Sequence, residues 1–219
     1  MFTCQNCGRE FELSQSVLDR YPGWVPRQCM DCRDGGGRSA AASSQPTPIR
    51  ATPASRTKSR DLTVDEVLSS FTDGPDTGIF TDGASEGNPG PGGWGAVYVV
   101  DGEVVKEAKG SDPYTTNNKM ELTAVIAGLG MAPAEVPIDL YTDSQLIVNI
   151  VTKWADGWEA RGWTKKSAGP IANLELVQTA HALHKEKPLA RIQWIKAHSG
   201  YRWNEYADAL ATSYRRQVH

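Results

Sequence analysis

The sequence predicts an α/β fold with a mixed five-stranded sheet in the order βββαβααβα, preceded by a small four-cysteine module. From residue 78 onward, short apolar runs alternate with stretches of helical spacing. All four cysteines lie in the first 32 residues. An antiparallel meander, followed by strands that are reached through helical crossovers, produces a mixed sheet.

Three parts of the chain differ in composition, which divides it into predicted domains at residues 1–34, 35–75 and 76–219. The first part carries the cysteines. Residues 35–60 are mainly Gly, Ala, Ser, Pro, Thr and Arg, so they cannot bury enough apolar surface to offset their ordering entropy. We therefore expect the middle part to be a flexible linker.

The linker is basic, whereas the chain as a whole is acidic. Residues 33–60 hold six basic side chains and one acidic one, a net charge of +5, and the net charge of the full chain is −3. Apolar residues at helical spacing predict one short helix at residues 61–71, capped by Asp61 or Thr63.

The five predicted strands are short apolar runs bounded by turn signals. Asp101-Gly102 is a hairpin turn signal between the second and third strands. The predicted strands are residues 79–81, 94–100, 103–109, 138–142 and 190–196.

Four later stretches have apolar residues at helical spacing. Pro133 follows the end of the first helix, Pro188 ends the third, and Ser144 is the expected cap of the second. The predicted helices are residues 117–131, 144–154, 172–187 and 204–217.

Composition argues against a membrane protein. No apolar run approaches the roughly 18 residues of a membrane span. The first residues do not combine a basic stretch with an apolar one, so we expect no signal peptide and a cytoplasmic location.

Four acidic residues lie where the predicted elements of an open sheet present a site. Asp82 follows the first strand, Glu121 lies in the first turns of the first helix, and Asp143 ends the fourth strand. Asp208 lies in the last helix. Hard carboxylate oxygens suit Mg²⁺ or Mn²⁺, and clustered carboxylates need cations to remain ionised. The alternative is that these acids are turn residues and helix caps.

The motifs around these acids, in this order and spacing, resemble type 1 ribonuclease H. The resemblance covers about residues 76–216 and implies a ribonuclease H-like fold. The matching motifs are Thr81-Asp82-Gly83 with the following loop to Trp94, Asn117-Asn118-Lys119-Met120-Glu121, Thr142-Asp143-Ser144-Gln145, Lys196-Ala197-His198-Ser199-Gly200 and Asn204-Glu205-Tyr206-Ala207-Asp208.

The resemblance implies an endonuclease that hydrolyses the RNA strand of RNA–DNA hybrids with two metal ions, leaving 5′-phosphate and 3′-hydroxyl ends. By resemblance, Asp82 bridges two Mg²⁺ or Mn²⁺ ions. Asp143 and Asp208 hold the nucleophile side, and Glu121 holds the leaving-group side. His198, in a Gly/Ser-rich loop, is expected to assist proton movement and product release.

Other polar residues beside these acids are expected to contact the hybrid. Asn88, Asn117 and Gln145 offer donors and acceptors, and matching family positions contact 2′-hydroxyls, bases or phosphate in the minor groove. The alternative is that they cap turns and helices. We expect the remaining histidines to face solvent. They are His181, His184 and His219.

Residues 153–166, called the protrusion here, resemble the family's basic protrusion, which grips the DNA strand. Its net charge of only +2 weakens that comparison. The alternative is that the tryptophans pack the protrusion against its neighbour, which we expect of Trp154. The residues predicted to contact nucleic acid are Trp158, Arg161, Trp163, Lys165 and Lys166.

The cysteines form two CxxC pairs, Cys4/Cys7 and Cys29/Cys32, separated by 21 residues. This pattern resembles a zinc ribbon or knuckle pair, although the gap slightly exceeds the usual range of about 15–20 residues. One structural Zn²⁺ would supply the folding energy that so short a segment lacks. A redox dithiol and disulfides are the alternatives. We expect the module to bind nucleic acid or to dock a protein.

Two other functions use the same fold. One is a non-catalytic hybrid-binding or adaptor protein, and the intact acidic set argues against it. The other is an exonuclease or transposase-type nuclease, in which we would not expect the Asn88-Pro89-Gly90 loop and the tryptophans. Members of the resembled family usually act as monomers, and we expect the same here.

Overall fold

The structure is a computed structural model that describes residues 1–5, 7–12, 25, 27 and 61–216. Two compact units divide the chain at residue 56. In the N-terminal unit, β1 (Phe2–Thr3) and β2 (Glu10–Phe11) pair in antiparallel fashion. The predicted zinc-module cysteines Cys29 and Cys32, and residues 35–60 of the predicted linker, lie outside the described residues.

The larger unit contains the predicted five-stranded mixed sheet in the predicted order of elements. Its strands lie in the order β5-β4-β3-β6-β7, in which β3, β4 and β5 are antiparallel and β3, β6 and β7 are parallel. The strands are β3 (Gly78–Ser85), β4 (Gly90–Val100), β5 (Glu103–Thr115), β6 (Ile138–Thr142) and β7 (Ala190–Trp194).

The predicted helices are present, with small shifts of their ends. Residues 145–159 form one helical path that includes a π-helical segment, Ile150–Trp154, between two α-helices. The α-helices are α1 (Val64–Ser70), α2 (Asn117–Met131), α3 (Gln145–Asn149), α4 (Ala155–Glu159), α5 (Leu174–Glu186) and α6 (Arg202–Ala211), and a 3₁₀ helix follows at Thr212–Arg216.

The sheet separates two apolar clusters because successive strand residues point to opposite faces. Ile79 packs with α2 and α5 on one face, whereas Phe80 packs with α6 and α1 on the other. Ile79 and Phe80 are both fully buried. Among the described residues, no helix is long and apolar enough to cross a membrane.

The predicted helix at 61–71 is present, but it packs into this larger unit instead of lying in a linker. Thr63 caps α1 with a capping box, in which Glu66 N donates to Thr63 Oγ1 and Thr63 N donates to a Glu66 carboxylate oxygen. Val67 is fully buried beside Trp203 of α6. The sequence spacing predicts the helix, but its burial depends on residues more than a hundred positions away.

Candidate active site

Asp82 lies inside strand β3, whereas the sequence had predicted that it would follow the strand. β3 extends to Ser85 because the glycine-rich start of β4 pairs with it, and Asp82 is opposite Gly95. The Asp82 side chain is almost buried, and Gly83 N donates a hydrogen bond to its Oδ1 at 2.8 Å. Asp82 is therefore held on the central strand of the sheet, with strands paired on both sides.

Asp143 is placed beside Asp82 by the register of two neighbouring strands. β3 and β6 are parallel, and Thr81 is directly opposite Thr142. The next residue along each chain is an aspartate. Because parallel strands keep their order, the two carboxylates emerge at the same edge of the sheet.

Glu121 reaches the same point because α2 approaches β3 at a glycine. A Cβ atom added at Gly83 would lie 2.2 Å from Glu121 N, so no other residue type fits there. Asn117 Nδ2 donates to Glu121 Oε1 at 3.3 Å. The other oxygen, Glu121 Oε2, is buried without a hydrogen-bond partner among the described residues.

Asp208 approaches from the opposite face of the sheet on α6. A Cβ atom added at Gly95 would lie 2.6 Å from Ala207 O, so glycine lets α6 pack closely against β4. Asp208 and His198 line the same pocket as Asp82, Glu121 and Asp143. The structure thus gathers all four predicted acids and the predicted histidine around one opening of about 320 Å³.

The carboxylates are close enough to repel one another. One carboxylate oxygen from each of Asp82, Glu121 and Asp143 lies within 4.8 Å of the others. Burial raises the pKa of Asp82 well above its usual value, and the charges of Glu121, Asp143 and Asp208 raise it further. Burial, then the charge of Asp143, also raises the pKa of Glu121.

The pocket fits divalent cations by its donor set. The pKa of Asp143 is also raised, chiefly by burial, although the nearby His198 lowers it. Cations would remove the repulsion that raises these values, and the unpartnered Glu121 Oε2 would gain a ligand. Carboxylate oxygens of this kind match Mg²⁺ and Mn²⁺.

Sequence reasoning missed Glu205, which lies between the histidine loop and Asp208. Its carboxylate accepts from Gly200 N at 3.3 Å and lies 4.0 Å from His198 Nδ1. Burial raises its pKa. The signal was available, because Glu205 and Asp208 are three residues apart and share one helix face.

Arg215 also lines the pocket and was not predicted. It lies on the 3₁₀ helix, pairs with Glu86 at 2.9 Å and also forms an ion pair with Asp61. The distance in sequence between Arg215 and its two partners explains why periodicity alone could not find it. Through its two acidic partners, Arg215 connects the 3₁₀ helix to Asp61 and Glu86 at the edge of the pocket.

Three predicted groove-contact residues have different positions. Asn117 lines the pocket, whereas Asn88 and Gln145 are exposed and lie outside its lining. Asn88 precedes Pro89, with a cis peptide bond, in the loop between β3 and β4. Gln145 begins α3. All three residues are exposed, as a substrate contact requires.

The protrusion corrects the expectation for its tryptophans. Trp154 was expected to pack, but it is 41% exposed, whereas Trp158 and Trp163 pack against the main apolar cluster. The π-helical segment that ends at Trp154 is the physical reason, because its wider turn rotates the faces of the following helix. Arg161 and Lys166 are exposed, and Lys165 is half-buried.

His181 was expected to face solvent, but it is buried under the protrusion. Its Nε2 lies 3.4 Å from both Asp156 and Glu159, and its ring meets Trp163 edge-on. His184 is half-buried, which lowers its pKa. The sequence contained a signal for the burial of His181, because it is four residues after the buried Val177 and so lies on the same helix face. His219 lies outside the described residues.

The first cysteine pair lies at the β1–β2 turn. Cys4 is buried, and Cys7 is exposed. Cys4 N donates to Arg9 O and Gly8 N donates to Cys4 O, each at 2.8 Å. The two bonds form a tight turn that contains both cysteines.

Comparison with known proteins identifies the fold and a family. Residues 75–216 match the family model described as RNase H. The chain is similar to a Ribonuclease H of Agrobacterium fabrum, with 47% identity over 133 residues, which are 61% of this chain and 90% of that protein. One from Erythrobacter litoralis is 45% identical over 137 residues, covering 61% and 92%.

A solved structure of LC9-RNase H1, a type 1 RNase H with the type 2 active-site motif, superposes with a TM-score of 0.54. Its sequence is 34% identical, and the match covers 67% of this chain and 76% of that one. Residues 75–216, which match the family model, contain the pocket and the whole five-stranded sheet.

Proposed function

The chain belongs to the RNase H family and hydrolyses the RNA strand of RNA–DNA hybrids, and we propose that it does so at the pocket of Asp82, Glu121, Asp143 and Asp208. The observation that supports this most is the convergence of three carboxylates, from β3, α2 and the end of β6, within 4.8 Å. Turn residues and helix caps have no reason to share one buried point.

We propose that these four acids hold a pair of Mg²⁺ or Mn²⁺ ions. Such a pair, when bound, makes water a better nucleophile and neutralises the charge that develops on the phosphate. Asp82, whose charge interacts with those of Glu121, Asp143 and Asp208, would be a ligand of both ions in this proposal. Asn117 orients Glu121 by its hydrogen bond to Oε1.

His198 is the proposed proton carrier. It lines the pocket, yet its side chain is 63% exposed, so it can exchange protons with bulk water. Glu205 lies 4.0 Å from His198 Nδ1 and limits where the ring can turn. The products of the proposed hydrolysis carry 5′-phosphate and 3′-hydroxyl ends.

Hybrid recognition in this proposal uses two surfaces of the same unit. Asn88, Asn117 and Gln145 contact the minor groove around the cleavage point, where 2′-hydroxyls identify the RNA strand. The protrusion holds the DNA strand through the exposed Trp154, through the exposed parts of the half-buried Trp158 and Trp163, and through its basic residues. The basic residues are Arg161, Lys165 and Lys166.

The domain limits that we propose are residues 1–34 for a zinc module, about 35–60 for the basic linker and 61–219 for the catalytic domain. The tight turn at Cys4 and Cys7 supports a zinc knuckle, which Cys29 and Cys32 would complete. We propose that the chain is active as a monomer, because every proposed ligand of the pocket comes from one chain.

A cleavage assay on three duplexes tests this function. With Mg²⁺ present, we expect the chain to cut an RNA–DNA hybrid but neither double-stranded RNA nor double-stranded DNA, and we expect Asp82→Asn to remove the activity. Equal cutting of duplex DNA would favour a transposase-type nuclease. Binding of the hybrid without any cleavage would favour the adaptor.

A further inference from the structure

The loop that carries His198 has an unusual backbone. His198 has a φ of 48° and Gly200 a φ of 82°, so two residues of this short loop are in the left-handed region. Left-handed geometry is uncommon for a residue with a side chain, although histidine adopts it more often than most. A loop of this kind needs outside contacts to hold one conformation.

The segment 71–74, called the strap here, supplies such contacts at the C-terminal end of the loop. Asp73 pairs with Tyr201 as a parallel bridge, and Arg202 N donates to Asp73 O at 2.8 Å. The side-chain Nε of Arg202 donates to Phe71 O at 2.6 Å. Two strap residues, Phe71 and Asp73, therefore lie directly against residues that follow His198.

Packing at the strap is as close as its hydrogen bonding. Gly74 has a φ of 108°, and a Cβ atom added there would lie 2.9 Å from Tyr201 Cβ. A Cβ atom at Gly200 would meet the Phe71 ring at 3.8 Å, an ordinary contact distance. The strap thus packs directly against Gly200 and Tyr201, at the C-terminal end of the loop.

The strap is itself anchored upstream. α1 precedes it, with Val67 fully buried against α6, and Asp61 forms an ion pair with Arg215 at the pocket edge. Phe71 caps the end of α1 by donating its N–H to Val67 O at 3.0 Å. A change at the strap cannot be absorbed simply by sliding α1.

The residues that match the family model begin at 75, immediately after the strap. We propose that residues 71–74 are positioning residues for His198, added in front of the family domain. They do not touch the reacting atoms. They hold loop 196–201 so that His198 stays at the pocket border.

This proposal rests on the proposed proton-carrying role of His198, and it predicts a particular kinetic signature. If the strap is weakened, a smaller fraction of molecules hold His198 in place, and turnover falls in proportion to that fraction. Substrate affinity is set elsewhere, by the groove contacts and the protrusion. A strap variant should therefore lower kcat and leave KM unchanged.

The variant Gly74→Ala tests the strap, and Gly169→Ala is its matched control. Both glycines have φ values near +100°, namely 108° and 94°, but a Cβ at Gly169 would meet nothing within 4 Å. The two substitutions cost similar backbone strain, and only Gly74→Ala pushes on Tyr201. We expect about a tenfold lower kcat for Gly74→Ala at unchanged KM, and near wild-type kcat for Gly169→Ala.

A double-mutant cycle with His198→Ala separates positioning from general damage. If the strap acts through His198, Gly74→Ala should cause no further loss in the His198→Ala background. The proposal is overturned if the same tenfold loss persists there, or if Gly74→Ala is as active as Gly169→Ala. Failure of the wild-type chain to cut the hybrid would overturn the proposed function, and this role with it.

A second variant covers the possibility that Gly74→Ala does not fold. Arg202→Met removes the donor to Phe71 O and keeps an apolar stem beside Trp203. We expect a severalfold lower kcat at unchanged KM, again without effect in the His198→Ala background. A higher KM with unchanged kcat would overturn the proposal.

Discussion

The acidic pocket and the protrusion are held by different means. In the pocket, backbone register brings the acids together: Asp82 and Asp143 follow the opposed pair Thr81 and Thr142 on parallel strands. In the protrusion, the exposed Arg161 lies in the turn that follows α4, and α4 itself follows a π-helical segment. Substitutions in the pocket should therefore lower kcat, whereas substitutions in the protrusion should change the free energy of unfolding or the KM for the hybrid.

Asp82→Asn should have the largest effect because it removes the central charge and leaves the shape intact. Losing a central metal ligand removes several kcal/mol of transition-state stabilisation, so we expect kcat to fall at least about 1000-fold. Steady-state cleavage of a labelled hybrid in Mg²⁺ measures this. Retention of a tenth of the activity would show that Asp82 is not the central ligand.

The same pocket should make the stability of the metal-free chain depend on pH. Burial and mutual repulsion raise the pKa values of Asp82, Glu121 and Asp143, so the folded state holds protons that the unfolded state has released. Stability is then largest in mild acid and falls as pH rises through the folded-state pKa values. Mg²⁺ should remove this fall.

Melting temperatures in a chelator, from about pH 5 to about pH 8, test the sign of this dependence. Asp82→Asn should flatten the curve and raise the melting temperature at neutral pH, since one repelling charge is gone. A wild-type melting temperature that rises with pH across this range would contradict the assignment of repelling, buried carboxylates.

The fold was largely predictable because its signals are local. Turn residues, prolines and apolar spacing gave the order of elements and most of their limits. The first half of β4 was not predicted, since Gly90, Gly92 and Gly93 resemble a loop and pair only because β3 and β5 lie on each side. Tertiary context there overrides the weak strand preference of glycine.

The site was predictable to a similar degree, and for a related reason. The four acids stand in motifs whose order identifies them. The contacts around these acids join residues that are far apart in the sequence, such as the ion pair of Arg215 with Asp61 and the hydrogen bond from Arg202 to Phe71. No local sequence pattern contains such contacts. His181 is different, because its position after Val177 in the helical repeat indicated burial.

In the protrusion, substitution of Trp158 and of Trp154 should separate an effect on stability from an effect on hybrid binding. Trp158 packs on the main apolar cluster, so Trp158→Ala should lower the free energy of unfolding by about 2 kcal/mol. Trp154 is 41% exposed, so Trp154→Ala should cost less than half as much and should raise KM for the hybrid severalfold. Denaturant unfolding and steady-state kinetics measure the two effects, and equal destabilisation by both variants would refute the burial difference.

The basic side chains of the protrusion should have a smaller and salt-dependent effect. If Lys166 contacts a phosphate, Lys166→Ala should raise KM severalfold at low salt and reduce the salt slope of log KM by about 1. Lys187, an equally charged residue that directly follows the C-terminal end of α5, is the control. An identical slope for wild type and Lys166→Ala would remove Lys166 from the interface.

The N-terminal unit should contribute least, because it adds local concentration and no chemistry. Deleting residues 1–60 keeps Asp61, α1 and the strap, so kcat should stay unchanged. If the zinc module and the basic linker hold nucleic acid, KM should rise a fewfold at low salt, and the difference should vanish at high salt as the charges are screened. An unchanged KM and salt slope would assign this unit to protein docking.

The zinc content of the chain tests the cysteine module itself. Metal analysis should find one Zn²⁺ per full chain and none after Cys4→Ser, a change at the buried cysteine of the turn. An absence of zinc from the full chain would contradict the predicted zinc knuckle.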